Sequence, residues 1–273
     1  MDVLEKTIKA KQGEMVTIIP IGDIHVGNVC FDREYFEDMV NWISKQKNTY
    51  VIGMGDYVDA VTHMDVTRYD IDNLDPEFNT PEKQHRYMST WFGKLAKNNQ
   101  LLFLLEGNHE YEIRHRYNHE HCKRWSVEFN VPFPGVQGMM RFRIMEPYNT
   151  KMNKTHVYDI FAHHGHGGVG RTGNAVNKIQ NFAQNYAADI YCMGHTHDKF
   201  ANIEARVKIK DRPNKDGRAE LTQKKIAFIN TGTFMDTFKL GTPSTFAERK
   251  GFQVKMKGVV TIQLKDGDLH LRP

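Results

Sequence analysis

Five times along this chain, an apolar run of strand length ends in a polar block rich in glycine, histidine and carboxylates, and this repeated order limits the possible folds most. Residues 15–21 lead into Gly22-Asp23-Ile24-His25, residues 50–54 into Gly55-Asp56-Tyr57-Val58-Asp59, and residues 101–105 into Gly107-Asn108-His109-Glu110. Residues 157–162 lead into His163-His164-Gly165-His166, and residues 190–193 into Gly194-His195-Thr196-His197. Helical patterns separate several of these runs. Asp32 is placed to cap a helix with the stripe Tyr35, Phe36, Met39, Val40 and Ile43, and Thr80-Pro81 opens another that carries Met88, Trp91, Phe92 and Leu95. Ala175, Ile179, Phe182, Ala183 and Tyr186 mark a third. Strands that alternate with helices in this way predict layered α/β architecture, with the strands covered on both faces. Ligands gather at the carboxyl ends of strands in such sheets, so the five blocks are expected to converge there.

The remaining sequence is organised differently. Residues 203–271 alternate in polarity and carry turn signals such as Lys265-Asp266-Gly267, which predicts antiparallel strands. Irregular inserts are expected over 62–79 and 111–134. No linker or repeat divides the chain, so residues 1–273 are expected to form one domain. At 273 residues the chain is long enough to bury a sizeable core without disulfides, and its three cysteines, Cys30, Cys122 and Cys192, form no C-x-x-C pair. Scattered thiols fit a reducing compartment, residues 1–13 lack the apolar stretch of a secretory signal, and no run is long enough to span a membrane. The expected location is therefore cytoplasmic. A formal net charge of +4 is too small to name a partner.

Histidine is abundant, at 14 residues, and seven of these lie in the blocks beside Asp23, Asp56, Asp59 and Asn108. One carboxylate can bridge two cations, while neutral imidazoles and an amide oxygen complete each coordination sphere without excess negative charge. A single block of this kind is more often an ordinary turn with satisfied polar side chains. Five in order, each at a strand end, point to a metal site. Two ions about 3.5–4 Å apart can hold a hydroxide at neutral pH and clamp the attacking and leaving oxygens of a displacement at phosphorus.

These blocks resemble, in order, the D-x-H, G-D-x-x-D, G-N-H-[DE], H-G and G-H-x-H motifs of the calcineurin-like metallophosphoesterase superfamily, and they span about two thirds of the chain, from Asp23 to His197. The resemblance implies a four-layer α/β/β/α sandwich with two divalent metal ions at the sheet edge: Mn²⁺ foremost, with Fe or Zn²⁺ also suited to the ligands. It implies Asp23, His25 and His197 on one ion, Asp56 bridging, and Asn108, His164 and His195 on the other. It also implies His109 as the general acid, oriented by Asp59, with a hydroxide between the ions as nucleophile. His163 is the alternative to His164, but it is expected on the opposite face of the strand.

The second block matches the form found in Ser/Thr protein phosphatases, yet Ala60 and Glu106 stand where those enzymes carry two phosphate-clamping arginines. A dianionic monoester gains more from an arginine fork than a diester does, so the substitutions favour a phosphodiesterase acting on nucleic acid or nucleotides. Arg114 and Arg116, in a segment that also holds Lys123, Arg124, Tyr111, Tyr117 and Trp125, are candidates to grip a nucleic-acid backbone and stack bases, although interspersed glutamates suit a solvated helix equally. Arg171 and His166 are further candidate substrate contacts. The alternatives are a phosphomonoesterase and, from another class, a metal-binding scaffold without turnover. Oligomeric state is not legible in the sequence.

Overall fold

Strands and helices follow one another closely in the structure, a computed structural model that describes residues 3–66, 68–147, 153–167, 172–210, 213–238, 245–249, 251 and 253–273. The chain runs through β1 (Val3–Lys9), β2 (Val16–Ile21), α1 (Arg33–Lys45), β3 (Thr49–Gly53), α2 (Pro81–Lys97) and β4 (Leu101–Leu104). It continues through α3 (Asn108–Tyr117), α4 (His121–Phe129), β5 (Gln137–Pro147), β6 (Asn153–His163), α5 (Thr172–Asn185) and β7 (Ile190–Met193). The last elements are β8 (Lys199–Ile209), β9 (Leu221–Thr231), α6 (Phe246–Arg249), β10 (Thr261–Lys265) and β11 (Asp268–Arg272).

Two sheets result: a five-stranded one in the order β11-β10-β2-β3-β4 and a six-stranded one in the order β1-β5-β6-β7-β9-β8. Strands β2, β3 and β4 are parallel, as are β6, β7 and β9, so the carboxyl ends that carry the polar blocks share one edge of each sheet. The apolar runs are nearly continuous because each strand buries both faces. Along β2 and β3, Ile19 and Val51 face Phe36, Val40, Met88 and Phe92 of α1 and α2, whereas Ile18 and Ile52 face Phe142, Ile160 and Ile190 of the other sheet. A third cluster seats Ala175 and Ile179 of α5 against Phe161, Tyr191 and Phe228. The fold is thus mixed α/β with two sheets and helices.

The caps read from sequence are in place. Asp32 accepts from the Tyr35 N–H at 3.0 Å, and Thr80 caps α2 ahead of Pro81. Segment 111–134, expected to be irregular, instead contains most of α3 and all of α4. Helix α3 has little amphipathic signal because its first turn is occupied by site residues, and α4 is held by burying Cys122 and Trp125 against α2. Strands β1 and β5 were not expected; they pair in parallel at the margin of the larger sheet. Within 62–79 the described residues form a single 3₁₀ turn, at Ile71–Asn73, and an isolated bridge from Leu74 to Asn28. No helix among the described residues is long and apolar enough to cross a membrane.

Candidate metal centre

Loop-to-loop hydrogen bonds draw the strand ends together. Asp23 N–H donates to Gly55 O at 3.0 Å, and Ile24 and His25 N–H donate to Asp56 O at 2.8 and 3.1 Å, locking the first block onto the second. The fifth block joins them when His195 N–H donates to both carboxylate oxygens of Asp23, at 3.0 and 2.9 Å. Such close approach strains the backbone. Asp23, His25, Asp56, His195 and His197 all take positive φ, between 50° and 69°, a region uncommon for residues other than glycine and entered most often by Asn, Asp and His. Gly107 is required for a related reason: a Cβ there would collide with the backbone nitrogen and carboxylate of Asp56.

Glu110 organises the centre from beneath. Its buried carboxylate accepts from the N–H groups of Asp56, Tyr57, Val58 and Gly107, at 2.9, 2.7, 3.1 and 3.0 Å, and so fixes the second and third blocks together. Sequence reasoning assigned no role to Glu110. A signal was present, because a Glu three residues after a helix cap commonly reaches back to the cap's N–H.

Among the described residues the donor atoms form three groups: one is His25, Asp56 and His109, and the other two correspond to the expected ligand sets. Of those two sets, Asp23, His25 and His197 offer one, with His25 Nε2 and His197 Nε2 3.0 Å apart and His197 Nε2 3.6 Å from Asp23 Oδ1. Asp56, His164 and His195 offer the other, joined by Asn108: His164 Nε2 lies 3.3 Å from Asp56 Oδ2 and 3.1 Å from Asn108 Oδ1, and His195 Nδ1 lies 2.7 Å from that same amide oxygen. Asp56 Oδ2 is also 3.9 Å from His25 Nε2, so Asp56 stands between the sets. Ligand atoms about 2.0–2.2 Å from one ion lie roughly 3–3.5 Å from each other, so these separations suit shared coordination. His164 is aimed by its other nitrogen, Nδ1, 2.7 Å from Met54 O.

Burial and neighbouring charge act against each other at these side chains. Burial pushes Asp23 up to about 7. Burial acts on Asp56 as well, but His164, His109 and His25 outweigh it and hold its carboxyl well below the usual range. For His164 burial opposes protonation, and Asp56 overcomes it to raise the imidazole to about 10, whereas burial lowers His195 to about 4. A proton held that firmly beside Asp56 marks a negative potential, and the imidazole, carboxylate and amide donors suit divalent cations.

His109 stands alongside. Its Nδ1 donates to the backbone carbonyl of Asp59 at 2.5 Å, with the Asp59 carboxylate 3.6 Å away, leaving Nε2 as the free ring nitrogen. The Asp59 carboxylate also lies 3.4 Å from His25 Nδ1, so Asp59 faces both the acid candidate and a ligand candidate. His163 points the other way, stacking on Phe182 and accepting from Gly165 N–H at 2.7 Å.

A cavity of about 500 Å³ opens over this centre. The structure does not bring Arg114 or Arg116 to its wall: Arg114 is bound to both oxygens of Glu106 at 2.7 and 2.9 Å, and Arg116 to Glu112 at 2.9 Å. Trp125 is fully buried and cannot stack on a base. His166 is exposed and does not line the cavity, and Arg171 lies outside the described residues. The cavity is lined instead by Arg68, Asn73 and Lys255, which no sequence signal marked because their placement depends on irregular segments.

Fold and centre together define a two-sheet α/β protein with a candidate His/Asp/Asn cation site at the sheet edges. The family model for calcineurin-like phosphoesterases matches residues 16–199, and the chain belongs to that family. Over 176 residues it is 26% identical to the DNA polymerase II small subunit of Thermoplasma acidophilum, an alignment that takes in 60% of this chain and 31% of that protein. This chain therefore spans less than a third of that relative. Among solved structures, a conserved uncharacterized protein of Streptococcus pneumoniae, described as a predicted phosphoesterase, superposes with a TM-score of 0.38 at 14% identity, covering 94% of this chain and 88% of that one. Vps29 of Entamoeba histolytica, solved with zinc, gives 0.37 at 12% identity, covering 94% and 97%.

Proposed function

We propose that this chain is a cytoplasmic, dinuclear metal-dependent hydrolase of phosphodiesters in nucleic acid or nucleotides, with Mn²⁺ as the foremost metal and Fe or Zn²⁺ as alternatives. The observation that carries this reading is the meeting of two donor sets at Asp56 beside His109. Asp23, His25 and His197 would hold one ion, Asn108, His164 and His195 the other, and Asp56 both. Two divalent ions held there would supply Lewis acidity to the phosphoryl oxygens and lower the pKa of a bound water toward neutrality. The protein's own part is to aim the ligands and deliver a proton. His109, held through Nδ1 by Asp59, presents Nε2 to protonate the leaving oxygen.

Preference for a diester rests on the cationic groups. Ala60 has no side chain to clamp phosphate, Glu106 is occupied by Arg114, and the cavity's own cations are part-neutralised, Arg68 by Asp65 and Lys255 by Asp198. Such a wall suits a monoanion better than a dianion. The likeness to a DNA polymerase subunit is in keeping with a nucleic-acid or nucleotide substrate. The test compares bis(p-nitrophenyl) phosphate with p-nitrophenyl phosphate under Mn²⁺. The expected result is a kcat/KM at least tenfold larger for the diester. Preference for the monoester overturns the diesterase reading, and absence of any hydrolysis by metal-loaded protein returns the chain to the scaffold class.

A further inference from the structure

The cavity extends past the metal centre into a region that hydrolysis as described does not use. One wall comes from the insert after the second block, with Val61, Arg68, Asn73 and Leu74; the other comes from the carboxyl-terminal third, with Met235, Thr237 and Lys255. An ion pair between Arg249 and Asp70 ties the two walls to each other. Ligand pockets fall in the range of about 300–1,000 Å³, and this one, at about 500 Å³, has room for a nucleotide.

Its lining has three kinds of surface. Val61, Leu74 and Met235 are apolar, as a planar ring requires. Arg68 is the one arginine lining the cavity among the described residues; its Nε and Nη2 both contact Asp65 Oδ2, at 2.7 and 2.6 Å, so the guanidinium is held in place by one edge. Asn73 is buried, and its backbone is fixed, the N–H donating to Asp70 O and the carbonyl accepting from Val29, both at 3.0 Å. Its side-chain nitrogen, however, has no hydrogen-bond partner among the described residues. A buried donor without an acceptor is costly, and a ligand that supplies the acceptor recovers that cost.

We propose that this wall is a recognition site for a single nucleotide unit, with the base between Leu74 and Met235, a base carbonyl accepting from Asn73, and the phosphate on Arg68 beside the metals. The proposal rests on the hydrolase reading only in placing the reacting ester at the metal centre. A base can enter such a pocket only when it is out of the helical stack. The substrate class is therefore a nucleotide diester or the terminal residue of a single strand, and an intact duplex is excluded.

The test uses the whole Mn²⁺-loaded protein, thymidine 5′-monophosphate as binding probe, and two chromogenic diesters, thymidine 5′-(p-nitrophenyl) phosphate and bis(p-nitrophenyl) phosphate. Two variants are compared: Asn73→Leu, which removes the donor at similar volume, and Leu74→Trp, which fills the pocket. By calorimetry both should bind the nucleotide at least tenfold more weakly than the wild type. In Asn73→Leu, kcat/KM for the thymidine diester should fall at least tenfold relative to that for bis(p-nitrophenyl) phosphate, with the loss in KM. Its thermal stability should be equal or higher, because an unsatisfied donor is gone; a merely structural role for Asn73 predicts the opposite. The proposal is overturned if the wild type does not bind the nucleotide, if both variants bind it as the wild type does, or if duplex DNA is the better substrate. If binding behaves as expected but no ester is hydrolysed, the hydrolase reading fails and the recognition site stands.

Discussion

His109 and Glu110 are neighbours with opposite tasks, one facing the cavity and the other facing inward. A general acid matters in proportion to how poor the leaving group is. His109→Asn should therefore lower kcat by about 100- to 10,000-fold for a diester with an alkoxide leaving group, but by roughly tenfold or less for one that expels p-nitrophenolate. Elemental analysis should find its metal content unchanged, and equal losses for the two leaving groups would remove the acid role. Glu110→Ala leaves four buried N–H groups without an acceptor. At about 1–3 kcal/mol for each group left wholly unsatisfied, even partial rescue by water makes a loss of about 3 kcal/mol the expected result in chemical denaturation. Activity should fall with it, because Asp56 is positioned by the same carboxylate. All of the proposed ligands were legible as residue types at strand ends, since their chemistry is local to each block. The support beneath them was not, because Glu110 acts on the second block from the third, across 54 positions of sequence.

Elements differ in how openly they declare themselves. Strands β2, β3, β4 and β7 stand within a residue or so of their apolar runs, because burial on both faces leaves little freedom in composition. Helices α3 and α4 were hidden, α3 by the site residues it carries and α4 by an unusual polar interior. There His85 Nδ1 lies 3.0 Å from His121 Nδ1, and His85 stacks on Trp125 with ring centres 4.7 Å apart. Burial lowers His85 to about 4 and His121 to about 2, each below the usual imidazole value of about 6.5. At a pH between these values an unfolded chain binds more protons at these two sites than the folded one does, so this pair's contribution to folding stability falls as pH drops below about 6.5. The seat of α4 on α2 should loosen first, with Trp125 fluorescence reporting it. A His85→Gln/His121→Gln double variant should show a shallower decline in melting temperature between pH 6.5 and 4 than the wild type. An unchanged slope would show that other groups carry the acid sensitivity.

At the scale of the molecule, the candidate centre is a junction between two sheets that share no strand pairing among the described residues. Asp23, His25, Asp56 and Asn108 follow strands of the five-stranded sheet, whereas His164, His195 and His197 follow strands of the six-stranded one. Both expected donor sets draw on both sheets, so a cation in either one would tie together layers that are also joined by the apolar cluster of Ile18, Ile52, Phe142 and Ile160, by the ion pair of Lys225 with Asp268 and by the connecting chain. Binding that favours only the folded state adds about 2.7 kcal/mol when the free ion is at 100 times its Kd. For a chain of this size that corresponds to roughly 5–10 °C in Tm. Chelated protein titrated with Mn²⁺ should show such a rise, and it should be largely lost in Asp56→Asn, which weakens both donor sets at once. His163→Asn, a histidine change on the opposite face of the same strand end as His164, should keep the full response. Equal responses in the two variants would mean that the ion binds elsewhere, and a rise retained by Asp56→Asn would deny that residue its place between the sheets.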